Sequence, residues 1–271
     1  MFQIGSKFYE RVKPQPDGRT FNERELQAVN RVAARISSYR ELAAAVINAK
    51  DGDTLTISET FEVLETIPVR KNSLTITCVG NGGLMPSTAG LTLFGVSGAY
   101  NCNFKGIKAL KNPKGIEWGT FIDLTFTKSQ RDTFIQDCHV EAEKFIFAWG
   151  GLTGAELNST NYEDFIGSRT YIVNNVHRST VNTNAFLDGN LNMATVCNNE
   201  TNGYIQFTGV GTFVAENMVL GTVDVGGAPH SIHIPSTEQN MVVSNIYQSG
   251  APPLVLNPGV GNIVANNLAI A

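Results

Sequence analysis

The C-terminal half of the chain repeats one short pattern: an apolar residue, then Val, any two residues, Asn and an apolar residue. It reads Phe213-Val-Ala-Glu-Asn217-Met, Met241-Val-Val-Ser-Asn245-Ile and Ile263-Val-Ala-Asn-Asn267-Leu. A looser copy is Tyr171-Ile-Val-Asn-Asn175-Val, and Phe134-Ile-Gln-Asp-Cys138 has Cys in the Asn position. Asn217 and Asn245 lie 28 residues apart, Asn245 and Asn267 22, and Cys78 and Cys102 24. Short strands at such intervals are what a coil of stacked parallel strands yields, one turn per repeat. No turn buries its apolar face alone, so neighbours share one core.

The texture of the chain agrees. From Thr54 onward, brief apolar runs such as Leu74-Thr-Ile-Thr-Cys78, Leu91-Thr-Leu-Phe94 and Tyr204-Ile-Gln-Phe207 alternate with Gly, Asn, Ser and Thr. Many short strands with turn signals between them also suit a sandwich; the repeat is what favours the coil. The recurring Asn has a physical task there. It tolerates the left-handed backbone of a sharp bend, and stacked amides can hydrogen-bond along a column. Asn175, Asn217, Asn245 and Asn267 are the expected rungs.

Upstream the pattern is helical. Asn22-Glu-Arg-Glu25 and Ser38-Tyr-Arg-Glu41 each pair a cap residue with an acid three positions on. Leu26, Val29, Ala33 and Ile36 follow the first cap on one face, and Leu42, Ala45, Val46 and Ala49 follow the second. Residues 1–21, with Lys13-Pro-Gln-Pro-Asp-Gly18, read as an irregular arm.

Of 271 residues only 16% are charged, against about 25% in an ordinary soluble domain, and the net charge is −4. A weakly acidic surface has no general attraction for nucleic acid or anionic membrane. No run approaches the roughly 18 apolar residues of a membrane span, and no apolar stretch follows Met1 as in a secretory signal. Synthesis in a cytoplasm is therefore expected, and the glycosylation-like Asn158-Ser-Thr and Asn199-Glu-Thr are discounted. Cys78, Cys102, Cys138 and Cys197 form no CxxC pair and read as buried free thiols.

The stretch Tyr39-Arg-Glu-Leu-Ala-Ala-Ala-Val-Ile-Asn-Ala-Lys-Asp-Gly-Asp-Thr-Leu-Thr-Ile57 resembles the opening of a pectate-lyase-like β-helix, the class to which phage tailspikes and related appendage proteins belong. There a short helix covers the open end of the coil and a Gly-Asp-Thr turn feeds the first strand. The resemblance spans about residues 38–271. The expected fold is all-β: a single-stranded right-handed parallel β-helix over 38–271 with a short α-helical N-terminal cap at 38–50. The resemblance further implies a homotrimer, with residues 1–37 as an arm and helix that dock on other virion proteins. The sequence stops at Asn266-Asn-Leu-Ala-Ile-Ala271 without a polar capping segment, so the last turn is expected to be covered by two further copies about a threefold axis.

Polysaccharide cleavage on such a coil needs paired carboxylates, or clustered acids for Ca²⁺ with a basic residue. The polygalacturonase-like strings Asn-Thr-Asp and Gly-His-Gly are absent; the nearest is Val181-Asn-Thr-Asn184. No lysine follows Lys144, and beyond Asp164 only Arg169 and Arg178 remain. Were the protein a hydrolase, Asp137, Glu163 and Asp164 would be the candidates, from the one stretch dense in acids. His230-Ser-Ile-His233 has ligand types for a metal, but strand alternation points the two rings apart, and neither metal nor cofactor is expected. Trp118 and Trp149, each beside glycine, are candidate platforms for a sugar ring. These readings converge on a virion surface protein, either a tailspike-like appendage or a capsid decoration protein, that binds host-surface polysaccharide. The alternative is a tailspike endoglycosidase or lyase that degrades it. A cellular β-helix enzyme is a weaker third.

Overall fold

A computed structural model describes residues 35–124, 132–148, 169–235, 239–255 and 261–270. Three-residue strands dominate it, and those in the middle of the first face share one burial pattern: the middle side chain is buried and its two neighbours face outward. A strand that short completes one side of a coil before the chain must bend.

The strands stack into three parallel faces. The first face runs through ten strands in chain order, from Arg35–Ile36 and Thr54–Ile57 through Phe134–Gln136, Tyr171–Val173, Thr195–Cys197 and Phe213–Ala215 to Ile263–Ala265. The second carries Val176–Arg178, Glu200–Thr201, Met218–Val219 and Ile246–Gln248, the third Trp118–Asp123, Ala185–Asn190, Tyr204–Thr208 and Ile232–Ile234. The long strand His139–Ala148 bends from the second face into the third. Every pairing among these faces is parallel. The exception among the described strands is a small antiparallel hairpin, Val223–Val225 with Ala228–His230. Parallel strands joined by crossovers take the right-handed sense, and the chain is a right-handed parallel β-helix.

Inside, like stacks on like. Ile135, Ile172, Val196, Val214 and Val242 form one buried column along the first face. Phe121, Phe145 and Phe186 form an aromatic column, with ring centroids 5.1 and 4.7 Å apart. One polar group sits among them. His177 is fully buried beside Phe145 and Phe186. Its Nε2 meets the Ala142 carbonyl and its Nδ1 meets the Thr201 hydroxyl, both at 2.8 Å, while that hydroxyl accepts the Gly203 N–H. The chain of bonds is consistent when Nε2 carries the proton and Nδ1 accepts.

Helix α1 covers Tyr39–Asn48. Ser38 caps it by accepting the Glu41 N–H, and the Glu41 carboxylate accepts the Ser37 N–H at 2.7 Å and its hydroxyl at 2.9 Å. Leu42, Val46 and Ala49 are buried against the first coil. Ile36 departs from the helical expectation: Arg35–Ile36 is a strand paired with Thr56–Ile57. The coil thus begins before α1, and residues 35–37 belong with the β-helix rather than with an arm. Ile36 is β-branched and buried, and pairing with the coil outweighs a single helical turn. The rest of the first helical stretch lies outside the described residues. No helix among them is long and apolar enough to cross a membrane.

Candidate functional site

Every coil from Phe134 onward turns from the first face to the second through the same two residues. The first has a left-handed backbone: Asp137, Asn174, Asn198, Glu216, Ser244 and Asn266, with φ between 55° and 59°. All six side chains are exposed. The second turns inward and is Cys138, Asn175, Asn199, Asn217, Asn245 and Asn267. The sequence suggested that the recurring Asn itself would be left-handed; the structure assigns that conformation to its predecessor. The strain of the bend falls on the outward residue, and the inward one is free to bond.

The inward amides form a continuous column. Cys138 donates its N–H to Asn175 Oδ1 at 2.9 Å. Asn175 then donates both its N–H and a side-chain N–H to Asn199 Oδ1, and Asn199, Asn217 and Asn245 repeat this down to Asn267. Each amide also donates to a strand carbonyl of the preceding coil, Ile135, Ile172, Val196, Val214 and Val242 in turn. The steps along the column are 37, 24, 18, 28 and 22 residues. Asn199 is the rung the sequence reading passed over. Cys78 and Cys102, by contrast, hold non-equivalent positions, one ending its strand and one preceding the next.

Over this bend lies a shallow groove of about 370 Å³, lined by Asn198, Glu200, Glu216, Met218, Ser244 and Ile246 with the edges of Asn199 and Asn217. Glu200 is tied to Arg178 by an ion pair. Glu200 is in register with Met218, two residues beyond Glu216. With strands about 4.8 Å apart and about 3.3 Å per residue, Glu200 and Glu216 stand roughly 8 Å apart at Cα. Amide, hydroxyl and carboxylate groups therefore recur along an open surface with the pitch of the coil.

The candidate catalytic acids are not brought together. Asp137 accepts a bond from Asn174 at 3.4 Å and stands three coils, or about 14 Å, from Glu216, beyond the reach of a carboxylate pair. Glu163 and Asp164 lie outside the described residues, as does Trp149. Trp118 is a correction: it is fully buried at the start of its strand and offers no ring face to a sugar. Gly119 beside it is small because the backbone of Gly90 presses within 2.5 Å of where a Cβ would stand. His230 bonds the Pro252 carbonyl through Nδ1, while both nitrogens of the buried His233 lack partners. Among the described residues no group of three or more His, Cys, Asp or Glu is placed to hold a metal. All four cysteines are free. Burial pushes the thiol of Cys138 up to about 12 and that of Cys102 to about 11.

No protein-family model matches the sequence, and neither does any curated protein. Among solved structures, the crystal structure of the Dettilon tailspike protein (gp208) aligns with a TM-score of 0.36 at 13% identity, over 78% of this chain and 46% of that one. The chain thus spans less than half the length of that protein. The likeness is too slight to carry residues or activity across, and the architecture rests on the strand register.

Proposed function

We propose that the chain is a bacteriophage virion surface protein, a tailspike-like appendage or a capsid decoration protein, that assembles as a homotrimer and binds host-surface polysaccharide along the bend between its first and second faces. The part of residues 1–37 that precedes the first strand at Arg35 is the segment that docks on other virion proteins. The observation that carries the binding reading is the groove over Asn198, Glu200, Glu216 and Ser244. It is open, it spans three coils, and its amide, carboxylate and hydroxyl groups can hydrogen-bond the hydroxyls of a sugar chain. The test is binding of the purified protein to a panel of bacterial capsular and O-antigen polysaccharides, beside an Asn198→Ala, Glu216→Ala variant. The proposal expects at least one ligand, with affinity reduced at least tenfold in the variant. Binding to none, or equal binding by both proteins, contradicts it.

A second reading, cleavage of the same polymer, is favoured by one feature. Glu200 and Glu216 both line the groove, their Cα atoms roughly 8 Å apart, so it holds two carboxylates, the residue type that glycosidases pair. New reducing ends from the bound polysaccharide, abolished by Glu216→Gln, would establish it; an unsaturated product would point to a lyase instead.

A further inference from the structure

The outward rows of the first face change character partway along the coil. In the early strands they hold Thr54, Thr56, Thr75, Thr77, Asn103 and Lys105. From the next coil on, one row reads Phe134, Tyr171, Thr195, Phe213, Met241 and Ile263. The other reads Gln136, Val173, Cys197, Ala215, Val243 and Ala265, of which Ala215 is buried. Twelve positions on six successive strands carry no charge. Phe134 and Tyr171 stack at 4.8 Å with their rings 4° from parallel. Phe213, Met241 and Ile263 are 37%, 36% and 48% exposed. The other faces are charged, with Glu141, Glu143, Lys144, Arg178 and Glu200.

We infer that this strip is the face through which copies of the chain meet, the three strips turned toward a common axis. The inference rests on the trimeric reading above and names the surface that makes it. Charge distribution identifies the occupant. In a symmetric assembly a charge near the axis meets its own copies, and like charges brought together cost several kcal/mol. A strip that packs on itself must therefore be neutral, whereas one that receives a different, charged partner carries the opposite sign. This strip is neutral over six coils in a chain that places Lys105 in the same row one coil earlier.

Area separates a trimer from a dimer. Six strands at about 4.8 Å, each about 10 Å long, give a footprint of roughly 300 Å², less than half of the roughly 800 Å² per partner in a stable pair. One copy against one other falls short. Around a threefold axis each copy's strip meets two neighbours at once, so no single pairwise contact has to be stable alone. The groove over Glu200, Met218 and Ile246 continues around the bend onto the second face, away from the strip, and stays open in such an assembly.

The experiment is light scattering on the wild-type protein and on a Phe213→Lys, Met241→Lys variant, with circular dichroism and urea midpoints alongside. The expected result is three chains for the wild type and one for a variant that keeps its β spectrum. A monomeric wild type overturns the trimeric reading and this inference with it. A trimeric variant beside a trimeric wild type overturns the inference alone. Should the lysines unfold the chain, Met241→Cys in a Cys78→Ser, Cys197→Ser background decides. Mild oxidation is expected to give covalently linked chains within the trimer, and a trimer without cross-links overturns the inference.

Discussion

Asn199 donates its backbone N–H and one side-chain N–H to the same atom, Oδ1 of Asn217, at 3.0 and 2.9 Å. Because Asn217 does the same to Asn245, each buried amide is both acceptor for the coil before and donor to the coil after. Asn217→Ala leaves two donors of Asn199 without partners inside the protein and takes one donor from the Val196 carbonyl. A buried orphan costs about 1–3 kcal/mol, so the loss is expected to reach about 3 kcal/mol or more. Urea titration measures it. The same change at exposed Asn266, where only the left-handed backbone disfavours alanine, is expected to cost about 1–2 kcal/mol at most.

The opposite bend, ahead of each strand of the first face, is left-handed too. Met193, with φ of 50°, stands where Gly211 and Gly261 stand in later coils. A left-handed non-glycine residue costs roughly 1–2 kcal/mol. Met193→Gly is therefore expected to be neutral or to stabilise by up to about 1 kcal/mol, the greater freedom of the unfolded chain offsetting part of the gain. Met193→Val, β-branched, is expected to destabilise. The thermal midpoint of the glycine variant should lie several degrees above that of the valine variant.

His177 gives the coil an acid limit. Burial pushes its pKa down to about 4, aided by the nearby charge of Arg178. The unfolded chain takes up the proton near pH 6.5 and the folded one does not. The stabilisation is thus complete above that value and is lost as pH falls from about 6.5 toward 4, about 3 kcal/mol in all. Urea midpoints measured across this range should show that slope, and a His177→Gln variant should lose it.

The buried thiols should be silent. Cys138 and Cys102 combine burial with raised pKa, and their sulfurs donate to the Phe104 and Lys71 carbonyls. Alkylation in the native state near pH 8 is expected to modify Cys197 and Cys78 first. Modification of Cys138 should await unfolding, as read by peptide mass.

The architecture was legible because the Asn column ties one residue type to one place in five successive coils, from Asn175 to Asn267, so the repeat survived steps of unequal length. Asn199 escaped notice because its strand opens with Thr195 rather than a large apolar residue, and its step to Asn217 is a short 18 residues. The left-handed position was misplaced by one because a sequence shows that a bend exists but not which residue absorbs it. Trp118 misled through its neighbour: glycine beside tryptophan suggested an open ring, whereas close backbone packing is what required it. The groove had no sequence signature at all, since Asn198, Glu216 and Ser244 belong to separate coils and become neighbours only through register.

The most direct test of that groove is amide hydrogen exchange, with and without the tightest-binding polysaccharide from the panel. The account predicts slowed exchange confined to the bends around 198–200, 216–218 and 244–246. Protection elsewhere on the coil, with these bends unchanged, would contradict it.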